Sequence, residues 1–322
     1  MSDLNVCSVF SDREFAALIE AEHPEIDLAI WVSENRDALE RLTTDYPVLL
    51  FRGFKVANDG DFVRVRQSLI PTPAEYLYRS TPRSHVDSGV MTATEYPANQ
   101  EILQHCENAY QRDWPMRLLF CCLVPAQIGG QTSLSDVSRV TQRLGPEVVK
   151  VFGNLGICYI RNYQEGFDLD WRVVFQTESR DVVEAFCKAN EITYEWLDGS
   201  SLRTRQVCQG VANHPATGEQ LWFNQAHLFH PSALGDEVMQ DMLDIFGADG
   251  LPRHSQFGDG TAISPDMLAC VREAFAAEAR SFDWQAGDVM IVDNMRAAHG
   301  RQPYSGDRRV LVSMGLMYSE ML

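Results

Sequence analysis

The sequence predicts a mainly β fold with flanking helices, built as a sheet-based barrel or sandwich and not as a doubly wound parallel sheet. Three observations carry this expectation. Short apolar runs bounded by turn residues recur through the second half of the chain. The helical segments among them do not alternate strictly with the strands. No glycine-rich dinucleotide or phosphate loop is present.

Taken in order, Ser11-x-x-Glu14 ahead of Phe15, Leu18 and Ile19 reads as a capping box opening an amphipathic helix, so the chain is expected to start with helices. A second helix is predicted over 33–42, a buried strand over 47–51 ended by Arg52-Gly53, and another helix over 61–69. The apolar run 117–124 predicts a buried strand, Gly129-Gly130 a turn, and Ser135-Asp136 a cap for the next helix. Strands are then predicted over 157–162, 202–208, 221–224, 282–285, 289–293 and 309–317. Helices are expected over 181–189, 236–246 and 265–279, the last with Ser264 as cap and Pro265 in the first turn. No repeat, low-complexity tract or charge block divides the chain, which predicts one domain over 1–322.

With 322 residues, 45% apolar content and 22% charge, the chain can bury a large core, which excludes a disordered or fibrous protein. The longest apolar stretch, 118–126, is broken by Pro125, whereas a membrane-spanning helix needs about 20 residues. The opening residues MSDLNVCSVFSDREF lack the basic start and apolar core of a signal peptide, so a cytoplasmic protein is expected. A net charge of −18 disfavours nucleic acid and anionic membranes as partners. The eight cysteines contain no CxxC pair and are expected to be reduced structural thiols.

On a strand, residues two apart face the same side, so His-x-Glu or His-x-Asp can present an imidazole and a carboxylate to one metal. Three such pairs occur: His23-Pro24-Glu25, His85-Val86-Asp87 and His105-Cys106-Glu107. Spacing alone does not choose among them. His23 reads as a solvated cap and His85 sits in a loop-like context. His105 is followed by Tyr110, Trp114-Pro115, a buried strand and Gly129-Gly130-Gln131-Thr132, while a late strand ends in Asp293-Asn294 and leads to His299-Gly300-Arg301.

From about Leu49 to the C-terminus, the segments LLFRGF, STPR, TEYPANQEI, GGQTSLSD, YIRNY, LRTRQ, HPATGE, WFNQAHLFH, FGDG, GDVMIVDN and HGRQPYSGDRR resemble the iron(II)- and 2-oxoglutarate-dependent dioxygenases of the taurine dioxygenase and clavaminate synthase type. The likeness is nearest to the aspartyl hydroxylases of peptide-antibiotic gene clusters. It implies a double-stranded β-helix (jelly-roll) core, with a helical and loop insertion at about 165–280 covering the site. It also implies His105, Glu107 and His299 as iron ligands, Thr132 and Arg309 at the carboxylate of 2-oxoglutarate, and Fe(II), 2-oxoglutarate and O2 as the reaction's requirements. Two His and one carboxylate on one face of an octahedral ion leave positions for a chelating keto-acid and dioxygen. A guanidinium suits the distal carboxylate because it pairs in two-pronged fashion. Strand alternation turns Arg308 and Arg309 to opposite faces, and the family pattern selects Arg309. Cys106 stands where the family often has Asn.

The implied function is hydroxylation of an unactivated C–H of an amino acid or carrier-tethered aminoacyl group in natural-product biosynthesis. The alternatives are desaturation or epoxidation with the same cofactors, or a non-catalytic jelly-roll binding module. An amino-acid substrate needs a cation for its carboxylate and an acid for its amine; Glu95, Arg203 and Asn224 are the candidates, with Arg161 and Arg205 behind them. Arg79, Arg83, Arg203 and Arg205 are expected to form a basic patch for an acidic carrier protein.

Overall fold

The computed structural model describes residues 6–319 except 75–77, 79, 82, 95, 165, 167, 198 and 200. Its start corrects the sequence reading. Val6–Phe10 and Arg13–Glu20 form an antiparallel hairpin, not a helix. The run 15–19 is apolar throughout because this strand is buried on both faces: Ala17 and Ile19 face one apolar layer and Ala16 and Leu18 another. Such a run satisfies helical spacing by accident.

That hairpin opens an eight-stranded sheet. Its order continues through Val48–Arg52, Val289–Asp293, Asp113–Val124, Arg309–Ser319, Val90–Thr92 and His85–Asp87. All pairings are antiparallel except Arg13–Glu20 with Val48–Arg52. A four-stranded antiparallel sheet runs Arg280–Phe282, Thr132–Asp136, Ala297–Arg301 and Ile102–His105. Leu118, Phe120, Met290 and Val312 of the large sheet share one apolar cluster with Leu134, Phe282 and Ala297 of the small one. The intervening residues Leu119, Ile291 and Leu311 point the other way and pack with Leu28, Val32, Phe62 and Val65 of the helices Leu28–Glu34 and Asp59–Leu69. Strand period two therefore builds a sandwich with helices on its outer face. Among the described residues no sheet closes into a barrel.

The helix expected over 33–42 is two helices, Leu28–Glu34 and Arg36–Asp45, divided at Asn35, whose side-chain amide donates to the Trp31 carbonyl at 2.9 Å. Asp136 caps Val137–Leu155 by accepting from the Ser138 and Arg139 amides, as the sequence predicts. From there the chain makes a long excursion, 137–279, before re-entering the small sheet, where Thr132 pairs with Phe282. The excursion contains a second four-stranded sheet, Thr193–Trp196, Leu202–Cys208, Ile157–Tyr163 and Arg253–Phe257, and the helices Asp236–Gly250 and Pro265–Glu278. Its apolar side chains merge with Tyr110, Trp114 and Ala298 into the largest cluster of buried residues described. No helix among the described residues is long and apolar enough to cross a membrane.

Candidate metal centre

Register brings the two histidines together. His299 on Ala297–Arg301 pairs directly with His105 at the end of Ile102–His105, and their ring centroids lie 4.5 Å apart. The close approach depends on Gly300, where a Cβ would sit 2.5 Å from the Ile102 carbonyl oxygen.

Glu107 arrives by a different route from the one the His-x-Glu spacing suggests. The strand ends at His105, and Glu107 stands in the turn beyond it. Asn294 fixes that turn. Its Oδ1 accepts from the Glu107 amide at 2.6 Å, and its Nδ2 donates to the Glu107 and Pro115 carbonyls, both at 2.8 Å. Asn294 is fully buried and is a residue the sequence reading mentioned only as the end of a strand. The fold carries the positioning that strand alternation was expected to supply. Cys106, between the two ligands, turns into the apolar cluster, so its departure from the family's Asn leaves the ligand face untouched.

The three donors converge within 4.8 Å of one another, and the Glu107 Oε2 lies 4.0 Å from both His105 Nε2 and His299 Nε2. His105 Nδ1 sits 2.8 Å from the Leu103 carbonyl, which can only accept, so Nδ1 carries the proton and Nε2 offers its lone pair to the cluster. Burial lowers the pKa of His105 and holds that of His299 well below the usual imidazole range, so both are neutral at pH 7. Two unprotonated imidazole nitrogens and one carboxylate are a donor set that fits Fe(II). Arg83 Nη2 donates to the same Glu107 Oε2 at 2.6 Å, in a pair whose side chains are 3% and 5% exposed.

The cluster opens on a pocket lined by Arg83, His105, Thr132, His299, Arg301 and Arg308, with Phe120 and Val310 among its apolar walls. Thr132 Oγ1 accepts from Trp284 Nε1 at 2.9 Å, so its own hydroxyl proton remains available to donate. Arg308 donates through Nε to the Gly130 carbonyl at 3.2 Å. Burial, with Arg301 nearby, pushes its pKa down to about 10, which leaves it charged at pH 7.

Arg309 is a correction. It lies exposed on the outer side and pairs with Asp59 at 2.6 Å. Parity explains the exchange. Val310 and Val312 face the inter-sheet layer and Leu311 the outer helices, so Arg308 shares the inward face and Arg309 the outward one. A register shift opposite Val124 and Cys122 marks the same place.

Neither Arg203 nor Asn224 is among the residues that line this pocket. Glu95 lies outside the described residues. Arg203 is tied down within the excursion, donating to Asn162 Oδ1 at 2.7 Å and to the Asp249 carbonyl at 3.0 Å. Asn224 shapes the turn into Ala226–Phe229, donating to the Gly210 carbonyl at 2.6 Å and accepting from the Ala226 amide at 3.0 Å. Arg161 is buried with its guanidinium 5.1 Å and 4.8 Å from the Tyr78 and Tyr163 ring centres. The expected basic patch does not form as drawn: Arg83 is buried against Glu107, Arg205 is exposed, and Arg79 lies outside the described residues. His85 is exposed on an edge strand and His23 on a loop, while His214 pairs with Asp293 at 3.0 Å. Among the described residues only His105, Glu107 and His299 form a cluster able to hold a metal.

Residues 11–314 match the profile of the taurine catabolism dioxygenase TauD, TfdA family. The chain is 38% identical over 310 residues, 96% of its length and 94% of the relative's, to the dapdiamide synthesis protein DdaC of Enterobacter agglomerans. It is 26% identical over 294 residues, 88% and 86% of the two chains, to a clavaminate synthase-like protein of Arabidopsis thaliana. Among solved structures, PvcB of Pseudomonas aeruginosa, an Fe, alpha-ketoglutarate dependent oxygenase from an isonitrile synthetic pathway, superposes with a TM-score of 0.52 at 17% identity, covering 93% of this chain and 85% of PvcB. That last likeness shows a common fold. The chain belongs to the TauD/TfdA family. It is a non-haem dioxygenase whose cofactors are Fe(II), 2-oxoglutarate and O2.

Proposed function

We propose that this dioxygenase hydroxylates an unactivated C–H bond of a small amino-acid-like substrate, free or carrier-bound, in natural-product biosynthesis. The reading includes one jelly-roll domain over 1–322, with the excursion as its insertion, acting in the cytoplasm, where free thiols such as those described here persist. The dapdiamide synthesis relative supports the biosynthetic setting. The observation that carries the reading is the convergence of His105, Glu107 and His299 on a pocket that also presents Thr132 and Arg308.

In this assignment His105, Glu107 and His299 hold the iron. When bound, the iron with 2-oxoglutarate supplies oxygen activation, releasing succinate and CO2 and leaving one oxygen atom for the substrate. Arg308 takes the distal carboxylate of 2-oxoglutarate, and Thr132 donates its hydroxyl proton to it. Phe120 and Val310 exclude water beside them. Glu107 fills the carboxylate position, which keeps halide from the metal and favours oxygen insertion.

The test is Fe(II)-dependent succinate formation from 2-oxoglutarate, coupled to amino acids and aminoacyl carriers. A product heavier by one oxygen is expected. Loss of two hydrogens in place of that gain would replace hydroxylation with desaturation, and absence of iron-dependent succinate would remove the enzymatic reading.

A further inference from the structure

We propose that Tyr304 is a positioning residue whose ring face orients the Arg308 guanidinium for 2-oxoglutarate. The inference rests on the function proposed above, which gives Arg308 the distal carboxylate, and deepens it. Its first support is the need for orientation. A two-pronged pair forms only if the guanidinium edge lies in the plane of the carboxylate. The Nε of Arg308 donates to the Gly130 carbonyl at 3.2 Å, at the long end of the usual range, and one such bond does not set the tilt of a planar group. The Tyr304 ring supplies a surface for that plane. The guanidinium carbon of Arg308 lies over it, 5.5 Å from the ring centre. Within about 6 Å the electron-rich face of an aromatic ring attracts a cation.

The second support is charge. Arg301 lies over the same ring, 5.0 Å from its centre. Both arginines line the pocket, and each guanidinium repels the other. One ring therefore serves two like charges, and its negative face offsets part of their repulsion. The two are not equally anchored. Arg301 donates through its terminal nitrogens to the carbonyls of Tyr96, Pro97 and Gln100, at 3.1, 2.7 and 2.8 Å, which fixes it whatever the ring does. Arg308 has less backbone support, so the effect of the ring falls on Arg308.

The third support is that the ring is itself held in place. Half-buried Tyr304 stands on the short strand Tyr304–Ser305, which pairs with Ile128–Gly129, and its amide donates to the Ala98 carbonyl at 2.8 Å. Gly130, one residue further, donates its amide to the Pro303 carbonyl at 3.0 Å. Ring and arginine meet at this glycine. Its φ is +72°, and a Cβ there would sit 3.1 Å from the Tyr304 Cβ and 3.2 Å from the Arg308 Cδ. Glycine alone lets both side chains approach the turn whose carbonyl takes the Arg308 Nε. The segment HGRQPYSGDRR thus carries both the cation and the surface that orients it.

Titration calorimetry tests this on the whole protein loaded with Mn(II), with N-oxalylglycine as the probe. Tyr304→Leu is expected to weaken probe binding roughly ten-fold, and Tyr304→Phe by less than about two-fold, because the ring face acts and not the hydroxyl. Pentafluorophenylalanine placed at position 304 keeps the ring's shape and reverses the charge of its face, so it should match the leucine variant. If the leucine variant fails to fold, the fluorinated ring decides alone. Mn(II) titrations without probe should be unchanged in all of them. In an Arg308→Ala background, Tyr304→Leu should weaken the probe no further. Undiminished binding with the fluorinated ring, a loss as large in Tyr304→Phe, a parallel loss of Mn(II), or the same Tyr304→Leu effect without Arg308 would each overturn the proposal. Iron-dependent succinate formation by the unaltered chain is measured separately. If Arg308→Ala weakens the probe and the Tyr304 variants do not, only the role of Tyr304 falls; full binding in Arg308→Ala removes the carboxylate assignment and this inference together.

Discussion

The metal wall of the pocket and the excursion 137–279 were open to sequence reading to very different degrees. At the metal wall, His105, Glu107 and His299 come together as the family likeness implied, although a turn held by Asn294, and not strand alternation, brings in the carboxylate. In the excursion, Arg203 and Asn224 carry residue types suited to substrate but spend their polar atoms on Asn162, Asp249, Gly210 and Ala226. The difference teaches that a ligand motif is local information. A pair two residues apart, plus one strand register, nearly closes the metal site, whereas a lone Arg or Asn becomes a substrate contact only if the whole excursion folds it towards the pocket.

The strongest break of this contrast is at the ligands. His105→Ala, Glu107→Ala and His299→Ala are each expected to abolish iron-dependent succinate formation and to lower bound metal, because a lost facial ligand empties a position that surrounding groups cannot refill. His85→Ala, on the exposed edge strand, should keep both. Metal analysis beside the turnover assay decides it; a His85 variant without iron would undo the assignment.

Next comes the arginine pair. Arg308→Ala should raise the KM for 2-oxoglutarate by roughly 100-fold, since removing one member of a desolvated charge pair costs about 3 kcal/mol or more. Arg309→Ala should shift it by less than about three-fold, because its exposed bridge to Asp59 is worth little. Steady-state kinetics with 2-oxoglutarate varied will show the order, and a larger effect at Arg309 would restore the family-pattern reading.

Asn294 sharpens the comparison from the side of the fold. Asn294→Ala removes three hydrogen bonds that hold the Glu107 turn and should weaken metal affinity by roughly 10-fold or more. Arg203→Gln, cutting the same kind of polar tie inside the excursion, should leave metal affinity unchanged. Mn(II) titration separates the two, and an equal loss in both would mean that the metal wall is not held independently.

The exchange of Arg308 for Arg309 shows why part of the site was illegible. The strand Arg309–Ser319 is apolar on both faces through Val310, Leu311 and Val312, so its composition carries no parity signal, and one residue of register decides which arginine points inward. The opening hairpin misled for the same reason, since Phe15 to Ile19 is buried on both sides. By contrast, the Asp136 and Ser264 caps and the apolar runs before 124 and 293 were read correctly, because caps and strand ends are set by neighbouring residues. Arg83 and Asn294 left only faint signals, STPR and the Asp-Asn strand end. Each acts across more than twenty residues of chain, on Glu107.

The smallest effect concerns protons. Two excursion histidines are buried in neutral form: burial pushes the pKa of His227 down to about 3 and that of His230 down to about 4. In the unfolded chain both take up a proton as pH falls through about 6.5. Between that value and the folded pKa the unfolded state holds more protons, so stability rises with pH across the window and is lost as pH falls from about 6.5 towards 4. Each such histidine adds a slope of at most about 1.4 kcal/mol per pH unit. His227 stacks on Phe275 with ring centres 5.0 Å apart, and its Nε2 lies 3.3 Å from the Gln104 carbonyl, so His227→Phe keeps the stacking and removes the titration. Urea unfolding of the metal-free protein at pH 5, 6 and 7 should show a flatter dependence in His227→Phe than in the parent. Adding Mn(II) should flatten the contribution of His105 and His299, whose protonation competes with metal, and leave that of His227 in place. An unchanged slope in His227→Phe would mean that this imidazole takes its proton in the folded state as readily as in the unfolded one.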